Sequence, residues 1–191
     1  MIWWIFALHG AALVAAGFAG RVSMRAGLAA ASVAPLGATI WIFSRLGADA
    51  APAVAEFAWV EQLDLVVRFR TGPLALMMAL LVSGIGFGVF VYAIGYFSPN
   101  AEGGIRFPMA LLGFSVSMLG LVLADSIWTL FIFWEFTSIT SFLLVGFKNT
   151  DTATQAAARR ALMITGGGGL LLLAGLLTLS GSGGGTFLSE L

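Results

Sequence analysis

The sequence predicts an all-α membrane protein of six transmembrane helices, with a short β-hairpin-like outer loop between the second and third. Three observations lead there. The 191-residue chain is 60% apolar and only 9% charged, with a mean hydropathy of +1.01, whereas soluble domains run at about 25% charged. Its apolar residues gather into six runs of about 18 to 24 residues, each long enough to cross a hydrocarbon layer of roughly 30 Å at about 1.5 Å per residue. Between the second and third runs lies the one sizeable polar insertion, the 49–71 loop.

The first span is expected over 2–20. No Lys or Arg precedes it, so it lacks the basic region of a cleavable signal peptide and reads as a retained helix. The second is expected over 26–43. Within the 49–71 loop, read as extracytoplasmic, Trp59 to Phe69 (WVEQLDLVVRF) partly alternates apolar and polar residues, as a half-buried strand does. Spans three to six are expected over 74–97, 107–124, 127–147 and 161–180. Trp3, Trp4, Trp41, Tyr92, Tyr96 and Trp128 lie towards the ends of these runs, where amphipathic rings favour the headgroup zone. Pro73, Pro99 and Pro108 sit at or beside span ends, where a missing N–H is harmless. The 181–191 tail opens on GSGGG and reads as flexible, leading to missing or separate polypeptide.

Basic residues set the direction. Loops after spans one, three and five hold Arg21, Arg25, Arg106, Lys148, Arg159 and Arg160, while those after spans two and four hold Arg45, Arg68 and Arg70. The positive-inside rule then places the N-terminus outside and the Lys148 loop in the cytoplasm. Zero net charge gives no footprint for nucleic acid. The absence of Cys excludes disulfides and thiolate metal sites, and neither a metal nor a cofactor is expected. Gly166 to Gly169 are not a phosphate loop, since no GK[ST] follows and the surroundings are apolar. With Ala157, Ala161 and Thr165, Gly169 instead makes a stripe of small residues every four positions, suited to close helix packing.

Glu135 is the leading candidate for function. It is the only charge in the run from Ile127 to Phe147, at a depth where a charge costs about 2.5 to 3.5 kcal/mol on insertion scales. Its side chain is too short to reach either surface. Either it holds and releases a proton or cation, or it is a protonated acid bonded to a neighbouring helix; intramembrane acids favour the first. At 100° per residue, Trp128, Phe131, Ser138, Ile139 and Phe142 share its face, and Thr137, Thr140 and Ser141 spread onto others. Those hydroxyls can bond across to a neighbour, bond back to their own helix, or line a wet path. No Lys or Arg lies at the same depth, as Lys148 and Arg159 fall near span ends and would snorkel.

Two secondary candidates accompany it. His9, the only histidine, sits near the middle of span one and could relay a proton, or be a neutral imidazole bonded to a helix backbone or hydroxyl. Asp125 precedes span five; it reads first as an N-cap meeting the positive end of the helix dipole, and secondly as the outer mouth of a path to Glu135.

The stretch DSIWTLFIFWEFTSITSFLLVGF, from Asp125 to Phe147, resembles the acid-bearing helix of the antiporter-like subunits shared by respiratory complex I, membrane hydrogenases and Mrp-type sodium/proton antiporters. The runs from Arg70 to Phe97 and from Arg159 to Leu179 are similar to that family's third and sixth spans, and TSITSFLLVGF with the closing GGTFLSEL points to the Mrp A subunit. The resemblance implies a proton- or cation-translocating subunit, not an enzyme, in a bacterial cell membrane. Its partners would be other hydrophobic subunits, protons, sodium ions and the lipid bilayer. It also implies that Glu135 pairs with a lysine on a seventh, broken helix beyond this chain, which would then be an N-terminal fragment, a split gene product or a partial sequence. One departure is Thr71, where the family often has an acid just before the third span. Redox-coupled pumping in complex I or a hydrogenase is the alternative; a structural scaffold is the alternative of another class.

Overall fold

Helices dominate this chain because, in lipid, every backbone N–H and C=O needs a partner within the protein. The computed structural model describes residues 2–46, 52–60, 62, 65–99, 101, 104–147, 152–182 and 185–190. The order is α1 (Trp3–Ala19), α2 (Met24–Arg45), β1 (Val54–Val60), β2 (Leu65–Arg70), α3 (Pro73–Tyr96), α4 (Arg106–Leu123), α5 (Ile127–Val145) and α6 (Thr152–Gly181). Among the described residues, five of the six helices are long and apolar enough to cross a membrane; α1 is apolar but shorter. The all-α, multi-pass class with its single hairpin is therefore the one the composition predicts.

Local chemistry sets the element ends. Ser23 caps α2 by accepting the Ala26 N–H at 3.1 Å, and Pro73 opens α3 where its missing N–H costs nothing. Gly104 takes a positive φ of 42° in the turn before α4, a conformation that a Cβ would strain. Helix α6 begins at Thr152 rather than near 161, giving 30 residues. The Ala-rich TATQAAARR segment has high helix propensity, so the helix does not stop where the apolar run does.

The hairpin is antiparallel, pairing Val54 with Arg70 and Phe57 with Val67, with an irregularity between Ala58 and Val60. Its second strand is also tied to the bundle. Phe69 bridges to Ala124, and Ser126 bridges in turn to Phe187. This corrects the expectation of a flexible tail for its described part: the Leu188 N–H donates to the Asp125 carbonyl at 2.9 Å, and the Ile127 N–H to the Thr186 carbonyl at 3.1 Å. Residues 183–184 and 191 of that tail lie outside the described residues. So does Lys148, which figured in the reading of direction.

Two apolar clusters fill the bundle. One gathers Met24, Leu28, Phe90 and Leu112 with small residues of α1 and α2. The other, at the hairpin end, is built around Ile5, Ile42, Leu119, Leu123 and the buried Phe69 of β2. The Phe69 ring lies 4.7 Å from that of Phe6 and 5.6 Å from that of Phe133, centre to centre. The hairpin thus inserts an aromatic plug against α5, two residues before Glu135.

Phe133 is in turn seated on Gly120 of α4, where a Cβ would collide with the ring. Gly120→Ala is therefore expected to destabilise the bundle by about 1–3 kcal/mol, the usual cost of overpacking. A lowered unfolding midpoint in detergent would register it; an unchanged midpoint would mean that the ring yields freely.

Candidate functional site

Helix α5 is fixed at its start by a chain of hydroxyl bonds to the hairpin. Ser126 is its N-cap and accepts the Thr129 N–H at 3.1 Å, which corrects the expectation that Asp125 caps this helix. The Ser126 hydroxyl donates to the Val66 carbonyl at 2.7 Å, and Thr129 Oγ1 accepts the Arg68 N–H at 2.9 Å. The 2.7 Å contact between the two hydroxyls is then a bond from Thr129 to Ser126, because the single Ser126 proton is already committed. Both serine and threonine are buried, so this chain satisfies polar groups that would be costly to leave unmade.

Asp125 is released from capping to hold two other segments together. Its Oδ2 lies 3.1 Å from Arg68 Nε, with both side chains largely shielded. The guanidinium N–H does not point along that line, so the contact is an ion pair rather than a linear hydrogen bond. Oδ1 accepts the Ser189 N–H at 3.1 Å and Oδ2 the Ser189 hydroxyl at 3.2 Å. Arg68 also lies 4.0 Å above the Phe187 ring, a cation–π contact. Its 3.9 Å approach to the half-exposed Glu190 adds little, as surface pairs do.

From this anchored end, Glu135 lies about 12 Å along α5, eight residues in at about 1.5 Å each. Its carboxylate points at α6. Oε1 is buried and has no hydrogen-bond partner among the described residues. It sits against Gly169, where a Cβ would collide with it, and a Cβ on Gly166 would meet Oε2 at 3.9 Å. Trp134 flanks the same spot: the Gly169 Cβ would lie 2.9 Å from its Cδ1 and 3.1 Å from its Nε1, whose buried N–H also lacks a partner among the described residues. A donor and an acceptor therefore converge beside one glycine.

The neighbouring hydroxyls mostly turn inward on their own helix. Thr137 and Ser138 both donate to the Trp134 carbonyl, at 2.7 and 3.2 Å, and Thr140 to the Phe136 carbonyl at 2.7 Å. Beyond them, at the end of the bundle away from the hairpin, a cavity of about 620 Å³ opens among α1, α4, α5 and α6. It is lined by Thr140, Gly146, Arg106, Gln155 and Arg159 among apolar neighbours. Thr140 is about 7.5 Å from Glu135 along the helix, five residues on.

The structure does not bring the three expected candidates together. Asp125 lies before the start of α5, ten residues from Glu135, which is itself about 12 Å into the helix. His9 is buried in α1 with its Nδ1 2.8 Å from the Ile5 carbonyl; Nδ1 therefore carries the proton, and the buried Nε2 has no partner among the described residues. No hydrogen bond or ion pair links His9 to either acid among the described residues. Nor do these residues contain a cluster of His, Cys, Asp and Glu that could hold a metal ion.

Gly169, Gly166, Trp134 and Arg68 are the contributors that sequence reasoning missed. The expected small-residue face of α6 is also redrawn. Its buried residues are Ala158 and Gly169, whereas Ala157 and Thr165 are exposed. A spacing of four drifts by about 40° per step around a helix of 3.6 residues per turn, so such a stripe leaves the contact face within three steps.

Comparison with known proteins places these features in a wider group. The family model described as NADH-Ubiquinone oxidoreductase (complex I), chain 5 N-terminus matches residues 57–108. That described as NADH:quinone oxidoreductase/Mrp antiporter, TM matches residues 124–191. A Staphylococcus haemolyticus protein named as antiporter subunit mnhA2 is 38% identical over 103 residues, 54% of this chain and 13% of its own length. Two Staphylococcus aureus proteins of the same name are 41% identical over 52% of this chain and 12% of their own, and 35% identical over 67% and 16%. A chain in the solved structure of the Mrp complex from Dietzia sp. DQ12-45-1b superposes with a TM-score of 0.79 at 29% identity, covering 97% of this chain and 20% of that one. The matched region is thus less than a fifth of the length of each curated relative.

Proposed function

Because this chain belongs to the membrane-subunit family shared by complex I and the Mrp antiporters, matching the N-terminal part of the Mrp A subunit, we propose that it serves a multisubunit sodium/proton antiporter as a proton- or cation-translocating segment, with Glu135 as the relay acid. The observation that supports this most is the Glu135 carboxylate itself. One oxygen is buried at mid-helix depth with no partner among the described residues, while almost every nearby hydroxyl is already bonded. A group placed there at such cost, with free acceptor capacity, suits a proton or a basic side chain that comes and goes. The direct test is sodium-driven proton exchange in membrane vesicles that contain the whole complex: Glu135→Ala should assemble and fail to exchange, and undiminished exchange counts decisively against the reading.

The remaining candidates take lesser parts. Asp125 holds the start of α5, both its oxygens being engaged. His9 is a secondary relay candidate through its buried Nε2, which has no partner among the described residues. Other hydrophobic subunits complete the assembly in a bacterial cell membrane, with the N-terminus and the hairpin outside. The cavity below Thr140 is then the cytoplasmic approach to Glu135. As the chain has no Cys, Thr140→Cys in an otherwise cysteine-free complex offers a clean probe. A membrane-impermeant maleimide should label it from the cytoplasmic side alone; labelling from the outside would reverse the proposed direction.

The complex I description of the 57–108 match supports a second reading, in which the same acid couples redox chemistry to pumping. Copurification with quinone- or iron–sulfur-bearing subunits would select it over exchange.

A further inference from the structure

Four consecutive glycines, Gly166 to Gly169, occupy the middle of α6, and the structure gives them unequal surroundings. A Cβ on Gly167 or Gly168 would meet nothing within 4 Å, and one on Gly166 would make only ordinary contact. At Gly169 alone a Cβ would collide with Glu135 Oε1 and crowd the Trp134 indole. The glycine is buried on a face of α6 that also carries the half-buried Leu162, Gly166, Leu173 and Leu176, while Gly167 and Gly168 are exposed. Gly166 shares the contact face and still leaves ordinary room for a Cβ, so facing the neighbouring helix does not by itself single out Gly169.

We infer that Gly169, with Trp134, is a positioning element for Glu135: the missing side chain leaves a notch on α6 that takes the carboxylate out of the lipid and fixes its direction. The two groups that converge there suit the task. The indole N–H and the carboxylate oxygen are both buried and both unpartnered among the described residues, so the notch keeps them aligned without committing either to a permanent bond. Gly166, one turn earlier on the same face, leaves room for the second oxygen. The inference deepens the relay reading and rests on it only for the activity measurement.

The test compares single alanine substitutions along the run in the whole complex. Alanine raises helix propensity over glycine, so a loss at one position cannot come from a weaker helix. Gly169→Ala is expected to cut sodium-driven proton exchange about a hundredfold, as ångström-scale misplacement of a reacting group does. Gly167→Ala and Gly168→Ala should stay within about twofold of the parent. A second readout reports on the carboxylate directly. Covalent labelling of Glu135 by a lipid-soluble carbodiimide, located by mass spectrometry, should rise several-fold in Gly169→Ala, because the displaced group faces the acyl chains, and stay unchanged in Gly168→Ala.

Equal exchange and equal labelling in Gly169→Ala and Gly168→Ala overturn the inference. Should Gly169→Ala fail to assemble, Gly169→Ala combined with Glu135→Ala and Trp134→Ala must assemble, since both colliding groups are gone; failure of that triple variant, where Glu135→Ala with Trp134→Ala assembles, also overturns it. Retained exchange in Glu135→Gln would remove the relay reading, while the labelling contrast would still decide whether Gly169 seats the acid.

Discussion

Asp125→Ala is expected to lower the stability of this bundle by about 3 kcal/mol, the lower end of the range for breaking a buried ion pair. The cost arises on the cation left behind. The Arg68 side chain is 17% exposed and that of Asp125 only 5%, so removal of the acid strands a largely shielded guanidinium, with the Phe187 ring and a distant Glu190 as poor substitutes. It also frees the Ser189 N–H and hydroxyl. The lower end applies because residual exposure lets water screen the orphaned charge. Arg68→Ala should cost less, since Asp125 keeps both Ser189 bonds, and the double variant should fall well short of the sum. Thermal unfolding of the detergent-solubilised complex gives all three values; strict additivity would mean that the pair carries no coupling. Limited proteolysis should also cut the 185–190 segment faster in Asp125→Ala, because its side-chain anchor is lost.

The same contact marks the boundary between what this sequence makes legible and what it does not. The helices are readable because an uninterrupted apolar run has few alternatives to a span, and the hairpin because its alternation fits a half-buried strand. Glu135 is readable because a charge inside such a run is conspicuous. The Arg68–Asp125–Ser189 clasp is not, since its members come from a strand, a helix entry and a tail whose meeting depends on the tertiary fold. The tail misleads for a related reason: GSGGG speaks for flexibility, yet Thr186 and Leu188 are held by backbone groups, which every residue carries and composition cannot reveal. The seat of Glu135 is hidden for the opposite reason. What Gly169 contributes is the lack of an atom, and a run of four glycines looks the same at each position until the facing helix is in place.

Glu135→Gln is expected to separate stability from function most sharply. The amide has nearly the shape of the carboxylic acid and fits the same notch beside Gly169, so assembly should be preserved. It also carries no charge, and a charge at this depth costs about 2.5 to 3.5 kcal/mol on insertion scales. The unfolding midpoint should therefore stay level or rise. Exchange should nonetheless fall to the background of vesicles without the complex, because an amide cannot gain or lose a proton near neutral pH, however well it donates and accepts hydrogen bonds. Glu135→Asp should keep partial exchange: it retains the titrating group but draws it back from the notch by one methylene. A variant with raised stability and no transport would follow the trade-off found where a destabilising residue is retained for function. Full exchange in Glu135→Gln would instead assign the residue to hydrogen bonding between α5 and α6, and a midpoint that falls by several degrees would mean that the ionised form is itself part of the packing.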